Sequence, residues 1–181
     1  NPSGILFGRG AQVDVGGILA TTLSMSTDNF MSGRYLLRGD GTNSSIVNEG
    51  TLRSEPKGYV ALIAPVVQNA GVIDATSGTA ALVAANAATV DFMADGLIQI
   101  KVEQGAINAE VTNKGAIRAD GGTVFLTAKG LDGLARSVVN SSGVIEARAV
   151  ENVKGVIRLS GGEVNLEPTS SISAIGGGQI D

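Results

Sequence analysis

Short runs of alternating apolar and polar residues recur along this chain, and glycine interrupts them. The clearest unit is Gly115–Ala128. In its first arm Ile117 and Ala119 alternate with polar residues, a glycine pair at 121 and 122 follows, and a second alternating arm ends the unit. Alternation with a period of two predicts a strand, and glycine predicts a bend. Each unit therefore predicts two short strands joined at a corner.

The unit returns at a nearly regular interval. Opening glycines stand at positions 50, 71, 96, 115 and 155, and an interval of about 20 to 25 residues is typical of a solenoid. Stacked copies place like residues above like residues, so two inward-facing ladders are expected. The first consists of Leu62, Leu82, Leu126 and Leu166, and the second consists of Leu52, Ile73, Ile117 and Ile157.

These features predict an all-β fold, a right-handed parallel β-helix that forms a single domain over residues 1–181. The repeated units show no helical period, and the handedness rule for parallel strands favours right-handed winding. Asparagine recurs just before the opening glycine of several units. We expect Asn48, Asn69 and Asn113 to stack as a structural ladder at one corner.

Two segments, 22–45 and 86–110, depart from the repeat and are expected to form strands outside the helix. Residues 90–93 and 97–102 favour a strand pair joined by a turn at 94–96. Extra strands would cover apolar outward positions such as Ala61, Ala81 and Phe125. The alternative is that these positions form a patch for a partner.

Composition narrows the function classes. The chain has 43% hydrophobic but 3% aromatic residues, 26 glycines, and neither cysteine nor histidine. Disulfides, thiolate metal sites and a cysteine nucleophile are therefore excluded, and the commonest general base is absent. The net charge is -4 and the basic residues are dispersed, so the sequence has no basic patch of the kind that binds nucleic acid. No run is long and apolar enough for a membrane helix, so no membrane insertion is expected.

Four stretches together carry a family resemblance: NPSGILFGRGAQVDVGGILATT, DNFMSGRY, IVNEGTLRSEPKGYVALIAPVVQNAGVIDA and TVDFMADGLIQI. They resemble the secretion domain of two-partner-secretion exoproteins, the filamentous-haemagglutinin-like adhesins of Gram-negative bacteria, from residue 1 to at least 128. The resemblance implies a right-handed β-helix with β-hairpins outside it. It also implies recognition by a dedicated outer-membrane transporter that contains POTRA domains.

The first four residues match a motif of that family. Asn1, Pro2, Ser3 and Gly4 correspond to its NPNG-type motif, with Ser3 in place of the second asparagine. The resemblance implies that they act in transporter recognition, whereas on their own chemistry they form a good turn. Both interpretations stand at this point. The family's NPNL-type motif and N-terminal cap are not in the chain, so we expect a fragment that lacks the cap and the solenoid that follows.

Other candidate sites have weaker signals. Arg38, Gly39 and Asp40 form an Arg-Gly-Asp triplet among turn-forming residues, which is either a chance match or a host-receptor loop. Acidic pairs such as Asp91 with Asp95 lack the spacing of a calcium loop, so neither a metal nor a cofactor is expected. Polysaccharide-cleaving enzymes also use β-helices, but acids such as Asp14, Asp74 and Asp120 are scattered along the repeats.

The sequence therefore predicts a non-enzymatic secretion and scaffold module of a large adhesin, secreted or displayed on the surface of a Gram-negative bacterium. We expect the outer-membrane transporter as its partner and expect the domain itself to be a monomer. The alternative is a binding module for an exopolysaccharide or host receptor, acting in biofilm formation or cell adhesion. An enzyme is the least favoured class.

Overall fold

The chain folds as a right-handed parallel β-helix in a computed structural model that describes residues 1–93, 97–132, 135–150 and 153–181. Three parallel sheets, each of six strands, form its walls, and each coil contributes one strand to each wall. The predicted fold class is confirmed. The turn predicted at 94–96 lies outside the described residues.

The elements follow the chain in this order. The first half contains β1 (Ile5–Phe7), β2 (Gln12–Val15), β3 (Ile18–Thr21), α1 (Thr27–Met31), β4 (Leu36–Arg38), β5 (Ser45–Asn48), β6 (Thr51–Ser54), β7 (Tyr59–Ala64), β8 (Val66–Asn69), β9 (Val72–Asp74), β10 (Thr79–Ala84) and β11 (Ala87–Phe92). The second half contains β12 (Ile98–Gln104), β13 (Asn108–Asn113), β14 (Ala116–Arg118), β15 (Thr123–Ala128), β16 (Arg136–Ser141), β17 (Val144–Glu146), β18 (Val156–Ser160), β19 (Glu163–Leu166), β20 (Ser171–Ser173) and β21 (Gln179–Ile180).

The three walls are named here by their strands. Sheet A has the order β1-β5-β8-β13-β16-β19, sheet B has β2-β6-β9-β14-β17-β20, and sheet C has β3-β7-β10-β15-β18-β21. The strands of the coils are mostly three to six residues long, so a single coil has little apolar surface to bury. Stability therefore comes from stacking each coil on its neighbours.

The core consists of apolar columns that run along the helix axis. In sheet C, Leu62 pairs with Leu82 and Leu82 pairs with Leu126. In sheet B, Ile73 pairs with Leu52 on one side and with Ile117 on the other. All of these side chains are fully buried. The period-two pattern explains the columns, because alternate side chains of a strand point to the same face.

The predicted ladders fail in the last coils. Leu126 pairs with Leu159, not with Leu166, which is exposed in sheet A. In sheet B, Ile117 pairs with Ile145, whereas Ile157 lies in sheet C beside Val124. The error came from treating Gly155 as an opening glycine. Gly155 precedes a strand of sheet C, and the opening position in that coil belongs to Gly143.

Coil lengths are less regular than the predicted interval. Equivalent polar residues at the ends of four successive sheet A strands, from Asn48 to Ser141, are separated by 21, 44 and 28 residues along the chain. The longest coil contains β11 and β12, so the copy assigned at position 96 is not a coil of its own. The first coil is also long, because α1 and β4 lie between its strand β3 and the start of β5.

A fourth sheet lies outside the helix. This sheet D has the antiparallel order β12-β11-β4, and it packs on the outer face of sheet C. Ala61, Ile63, Ala81 and Val83 of sheet C are buried beneath it. Sheet D thus covers these four apolar outward positions, whereas Phe125, the other outward position named above, is only partly buried. The outer strands come from within segments 22–45 and 86–110, while Ser45 and Asn108 already begin strands of sheet A.

Segment 22–45 also contains a helix that the sequence analysis missed. Helix α1 has 5 residues and begins after Ser26, whose hydroxyl accepts a hydrogen bond from the Asn29 N–H. Serine is a favoured N-cap, and Asp28 lies in the first turn, where a negative charge is favourable. These two signals were present in the sequence, but the expectation of strands in this segment obscured them.

Glycine at the corners allows the coils to approach closely. A Cβ atom on Gly115 would overlap the carbonyl oxygen of Gly71, and one on Gly71 would overlap that of Gly50. Gly143 has the same relation to Gly115. Any side chain in this column would therefore push two coils apart.

The substitution Gly115→Ala tests this packing. We expect it to lower the free energy of unfolding by about 3 kcal/mol, because the added methyl group meets backbone atoms that cannot move independently. Gly16→Ala is the matched control, since a Cβ there has no neighbour within 4 Å, and it should change stability by about 0.5 kcal/mol or less. Denaturant unfolding followed by circular dichroism measures both. Equal effects of the two substitutions would contradict the packing argument.

Candidate functional site

The first four residues form an exposed turn at the start of β1. The Gly4 N–H donates to the Asn1 carbonyl oxygen at 3.1 Å, and the Ser3 N–H donates to Asn1 Oδ1 at 3.1 Å. Gly4 has a φ of 103°, a region that disfavours residues with a side chain. Pro2 occupies the position of a turn at which its fixed φ is favourable. The motif therefore has a defined shape and presents three exposed side chains.

The turn lies at one end of the stack. Its strand β1 is the terminal strand of sheet A, next to β5, and β2 and β3 are terminal in sheets B and C. A Cβ on Gly4 would approach the Ser45 carbonyl oxygen to 3.1 Å. The close fit against the second coil holds the turn in one orientation.

The Arg-Gly-Asp triplet lies beside sheet D. Arg38 is the last residue of β4, not a loop residue, and its backbone exchanges two hydrogen bonds of 2.8 Å with Ser24. The Gly39 N–H donates to the Asn86 carbonyl oxygen. The side chains of Arg38 and Asp40 are exposed, but the triplet begins within a strand instead of forming the tip of a loop.

Asp40 is bonded to its own loop. Its carboxylate accepts the Thr42 hydroxyl at 2.6 Å and the Thr42 N–H at 2.9 Å. These two hydrogen bonds, the hydroxyl first, lower the pKa of Asp40. The carboxylate is therefore ionised and oriented, although part of its accepting capacity is used within the loop.

Asn48, Asn69 and Asn113 form one buried column, each at the end of a strand of sheet A. The Asn48 side-chain amide donates to Asn69 Oδ1 at 2.8 Å, and that of Asn69 donates to Asn113 Oδ1 at 2.9 Å. The column continues to the Ser141 hydroxyl at 3.5 Å. The Gly50 N–H donates to Asn48 Oδ1. This asparagine column satisfies buried polar groups at the corner, which would otherwise be costly.

Sheet B carries a ladder of alternating charges on its outer face that the sequence analysis did not find. From coil to coil the order is Asp14, Arg53, Asp74, Arg118 and Glu146. The charged atoms of neighbours lie 3.9 Å apart for Arg53 with Asp14 and 3.6 Å for Arg53 with Asp74. Arg118 is 3.1 Å from Glu146. The sequence does contain a signal for this ladder. Each of its three central charged residues directly follows a core residue, which is Leu52, Ile73 or Ile117.

A further ion pair, between Arg148 and Asp120, joins neighbouring coils at the corner after sheet B. Arg148 Nη2 lies 2.8 Å from Asp120 Oδ2, Arg148 Nε lies 3.2 Å from both carboxylate oxygens, and the Arg148 N–H also donates to Asp120. The hydrogen bonds from the guanidinium are the main reason that the pKa of Asp120 is lowered. The acids that sequence analysis described as scattered are therefore mostly paired with arginines on neighbouring coils.

Aromatic rings gather on one side of the outer sheet. Tyr35 lies edge-on to Phe92 at 4.9 Å between ring centroids, Phe30 lies 6.4 Å from Tyr35, and Tyr59 lies 5.6 Å from Phe92. In a chain with four phenylalanines and two tyrosines, this row holds most of the aromatic side chains. Such ring pairs stabilise the contact between sheet D and the helix.

The part of the chain that the structure describes contains neither a metal-binding cluster nor a membrane-spanning helix. Across residues 1–93, 97–132, 135–150 and 153–181, no group of three or more acidic, histidine or cysteine side chains is arranged to hold a metal ion. Among the same residues, no helix has the length and apolar character needed to cross a membrane.

Comparison with known proteins settles the family. The model of the TPS secretion domain matches residues 1–174. The chain belongs to the TPS secretion domain family. This confirms the resemblance to two-partner-secretion exoproteins, which Gram-negative bacteria secrete. This TPS domain therefore consists of the parallel β-helix and the outer sheet D described above.

Relatives and a solved structure agree with this assignment. The TPS domain is 31% identical to a heme/hemopexin-binding protein of Haemophilus influenzae strain Rd over 95% of this chain, and 28% identical to another H. influenzae heme/hemopexin-binding protein. The chain spans 19% and 20% of the length of these relatives. The crystal structure of the HMW1 secretion domain from H. influenzae matches with a TM-score of 0.71 and 26% identity, over 96% of this chain and 52% of that one.

The substitution Asn69→Ala tests the asparagine column. It should lower the free energy of unfolding by about 2 to 3 kcal/mol, because the Asn48 side-chain amide and Asn113 Oδ1 stay buried and lose their bonds to Asn69. Asn140→Ala is the control, since Asn140 accepts from Asn165 on the partly exposed outer face of the same sheet. Denaturant unfolding measures both. A similar small loss for the two substitutions would mean that the column adds little.

The pair of Asp120 and Arg148 predicts a pH dependence. The folded state lowers the pKa of Asp120 below its ordinary value of 3.8, so its stabilising contribution is present above that pH and is lost as the pH falls through the lowered pKa. The stability difference between the native protein and Asp120→Asn should therefore shrink at acidic pH. Unfolding measured from pH 7 downwards tests this, with Arg148→Gln expected to give the same profile. Parallel curves for native protein and variants would contradict it.

Proposed function

We propose that this TPS domain is recognised for export by an outer-membrane transporter of the two-partner type, which contains POTRA domains. The match of the family model to residues 1–174 carries this proposal. The turn at Asn1–Gly4 is the proposed contact, because its three exposed side chains are held in a single shape at one end of the stack. In this interpretation the turn geometry and the recognition role are compatible, since a rigid turn loses little entropy on binding.

The domain also acts as a scaffold on which the following chain folds. Each added coil buries apolar side chains against the coil before it, and its glycine and asparagine columns repeat the preceding geometry. Folding that starts in these coils can then propagate outside the cell. The absence of cysteine is compatible with passage of an unfolded chain, because no disulfide loop has to cross the pore.

Several finer features of this proposal concern the whole exoprotein. We propose a non-enzymatic role at the cell surface or in the extracellular medium, within a larger adhesin. The chain spans 19% of the length of the relative with the higher identity, and we assign any adhesive or ligand-binding activity of the exoprotein to regions outside this domain. No specific observation favours binding of an exopolysaccharide, and a receptor role for Arg38, Gly39 and Asp40 stays a prediction.

Secretion with matched turn variants tests the proposal. The domain would be expressed within its full-length exoprotein, with and without the cognate transporter, and the medium would be assayed for the secreted protein. Pro2→Ala should reduce transporter-dependent secretion several-fold without lowering the stability of the purified domain. Ser3→Asn, which restores the family motif, should preserve secretion.

The control is a similar turn at the other end of the stack. Pro168 lies in the exposed turn in which the Ser170 N–H donates to the Glu167 carbonyl oxygen at 2.8 Å. Pro168→Ala should leave secretion unchanged. Secretion without the transporter would refute transporter recognition, whereas transporter-dependent secretion with equal losses for Pro2→Ala and Pro168→Ala would refute only the role of the first turn.

A further inference from the structure

The outer sheet D links two coils that are not neighbours in the stack. The first coil contains β1, β2 and β3, the second contains β5, β6 and β7, and the third contains β8, β9 and β10. Strand β4 is inserted after β3, whereas β11 and β12 are inserted after β10. Because β4 pairs with β11, the insertion of the first coil is bonded directly to the insertion of the third.

This pairing passes over the second coil. The Val90 N–H of β11 donates to the Tyr35 carbonyl oxygen, which directly precedes β4, at 3.0 Å. Beneath the two strands, Ala61 and Ile63 of β7 are fully buried, and Leu37 of β4 packs in the same apolar cluster. This cluster, named here the outer core, thus joins side chains of all three coils and of both insertions.

The later coils are held differently. Beyond Phe125 and Thr127, the outward columns of sheet C continue with Arg158 and Ser160, which are exposed polar residues. Within the described residues, the fourth to sixth coils contribute no strand to an outer sheet. These coils therefore depend on contacts with their immediate neighbours, as coils of a solenoid ordinarily do.

We propose that sheet D is a clasp that makes the first three coils one cooperative folding unit, on which the later coils then stack. The proposal rests on the scaffold role proposed above and names the part of the domain in which folding begins. With contacts between neighbouring coils alone, the first coil would open independently of the third. Here its opening separates β4 from β11 and exposes the outer core, so the three coils open together. The unit becomes stable only when the chain is available through β11.

The two ends of the stack should therefore differ in local stability. The first coil contains the partly buried strands β1 and β2, and the last coil contains the similarly exposed strands β19 and β20. Burial alone predicts that both ends open easily. The clasp predicts easy opening only at the end that contains β19 and β20.

Backbone amides of sheet B report on the coils one by one. At the start of successive strands, an N–H donates to a carbonyl oxygen of the coil before. The reporter bonds are Thr51 to Ala11 at 2.8 Å, Val72 to Gly50 at 2.8 Å, Val144 to Gly115 at 2.9 Å and Ser171 to Gly143 at 3.1 Å. The clasp lies on sheet C, which is a different wall, so a change at these amides reports the opening of a whole coil.

Native-state hydrogen exchange with Leu37→Ala tests the proposal. Leu37 is 3% exposed in the outer core, so its truncation makes opening of the clasped unit easier. Exchange of the Thr51 and Val72 amides should accelerate together by about 30-fold or more. Exchange of the Val144 and Ser171 amides should change by less than about threefold, because their coils open while the clasped unit stays folded.

Ile145→Ala is the matched control. Ile145 is fully buried in β17 of the fifth coil, so this substitution should accelerate exchange of Val144 and leave that of Thr51 unchanged. Val90→Ala, on the β11 side of the clasp, removes a smaller side chain that is also fully buried. It should reproduce the pattern of Leu37→Ala with a smaller factor, and it replaces that variant if Leu37→Ala does not fold.

Three exchange patterns would overturn the proposal. Acceleration confined to amides of sheet D, or absent altogether, would mean that the clasp opens without the coils. Acceleration of Thr51 without Val72 would mean that the coils open one at a time. Equal acceleration of Thr51, Val72 and Ser171 would mean that the whole stack is a single unit.

Pulse-labelled refolding from denaturant tests the order of folding. The Thr51 and Val72 amides should gain protection in one phase, before Val144 and Ser171. Protection of Thr51 before Val72, or of Ser171 before either, would contradict the clasp. Neither exchange experiment needs a transporter, so failure of the clasp leaves transporter recognition untouched. Failure of the secretion experiment would likewise leave the clasp untouched.

Discussion

Close stacking of one coil on the next is the constraint on which this structure depends. Neighbouring parallel strands must approach to hydrogen-bonding distance on three walls at once, and the corners must follow. Gly71 and Gly115 make this possible where the chain turns from sheet A to sheet B, because their missing side chains leave room for the carbonyl oxygen of the coil before. Beside them the asparagine column pairs its amides at the same spacing. The apolar columns can then be continuous.

Much of this arrangement could be predicted from the sequence. In a repeating fold, residues of the same type recur along the chain and contact each other in neighbouring coils. The columns through Leu82 and Ile73 and the stacking of Asn69 follow from aligning one unit on the next. The alignment failed where a corner changed length. Nothing local distinguishes a glycine that opens sheet B from one that opens sheet C, so Gly155 was assigned to the wrong wall and Leu166 to the core. Only the pairing between coils resolves that choice.

Candidate sites were harder to place than the core. The turn at Asn1–Gly4 has local chemistry that predicts its shape, and Gly4 adopts the positive φ that glycine permits. The aromatic row joins residues that are far apart in the chain, such as Tyr35 and Phe92 or Tyr59 and Phe92. Their proximity depends on where an inserted hairpin lies on the solenoid, which no local pattern encodes. The charge ladder was missed for another reason, since its members change sign from coil to coil and look unrelated when residues are aligned by identity.

That change of sign limits how such a solenoid can gain or lose coils. Asp14 and Asp74 are next-nearest neighbours in sheet B, with Arg53 between them. Removing the single coil that carries Arg53 would set two aspartates directly opposite each other, and duplicating it would do the same to two arginines. Like charges in that position are destabilising. On this face the charge pattern thus repeats every two coils, although the backbone repeats every coil.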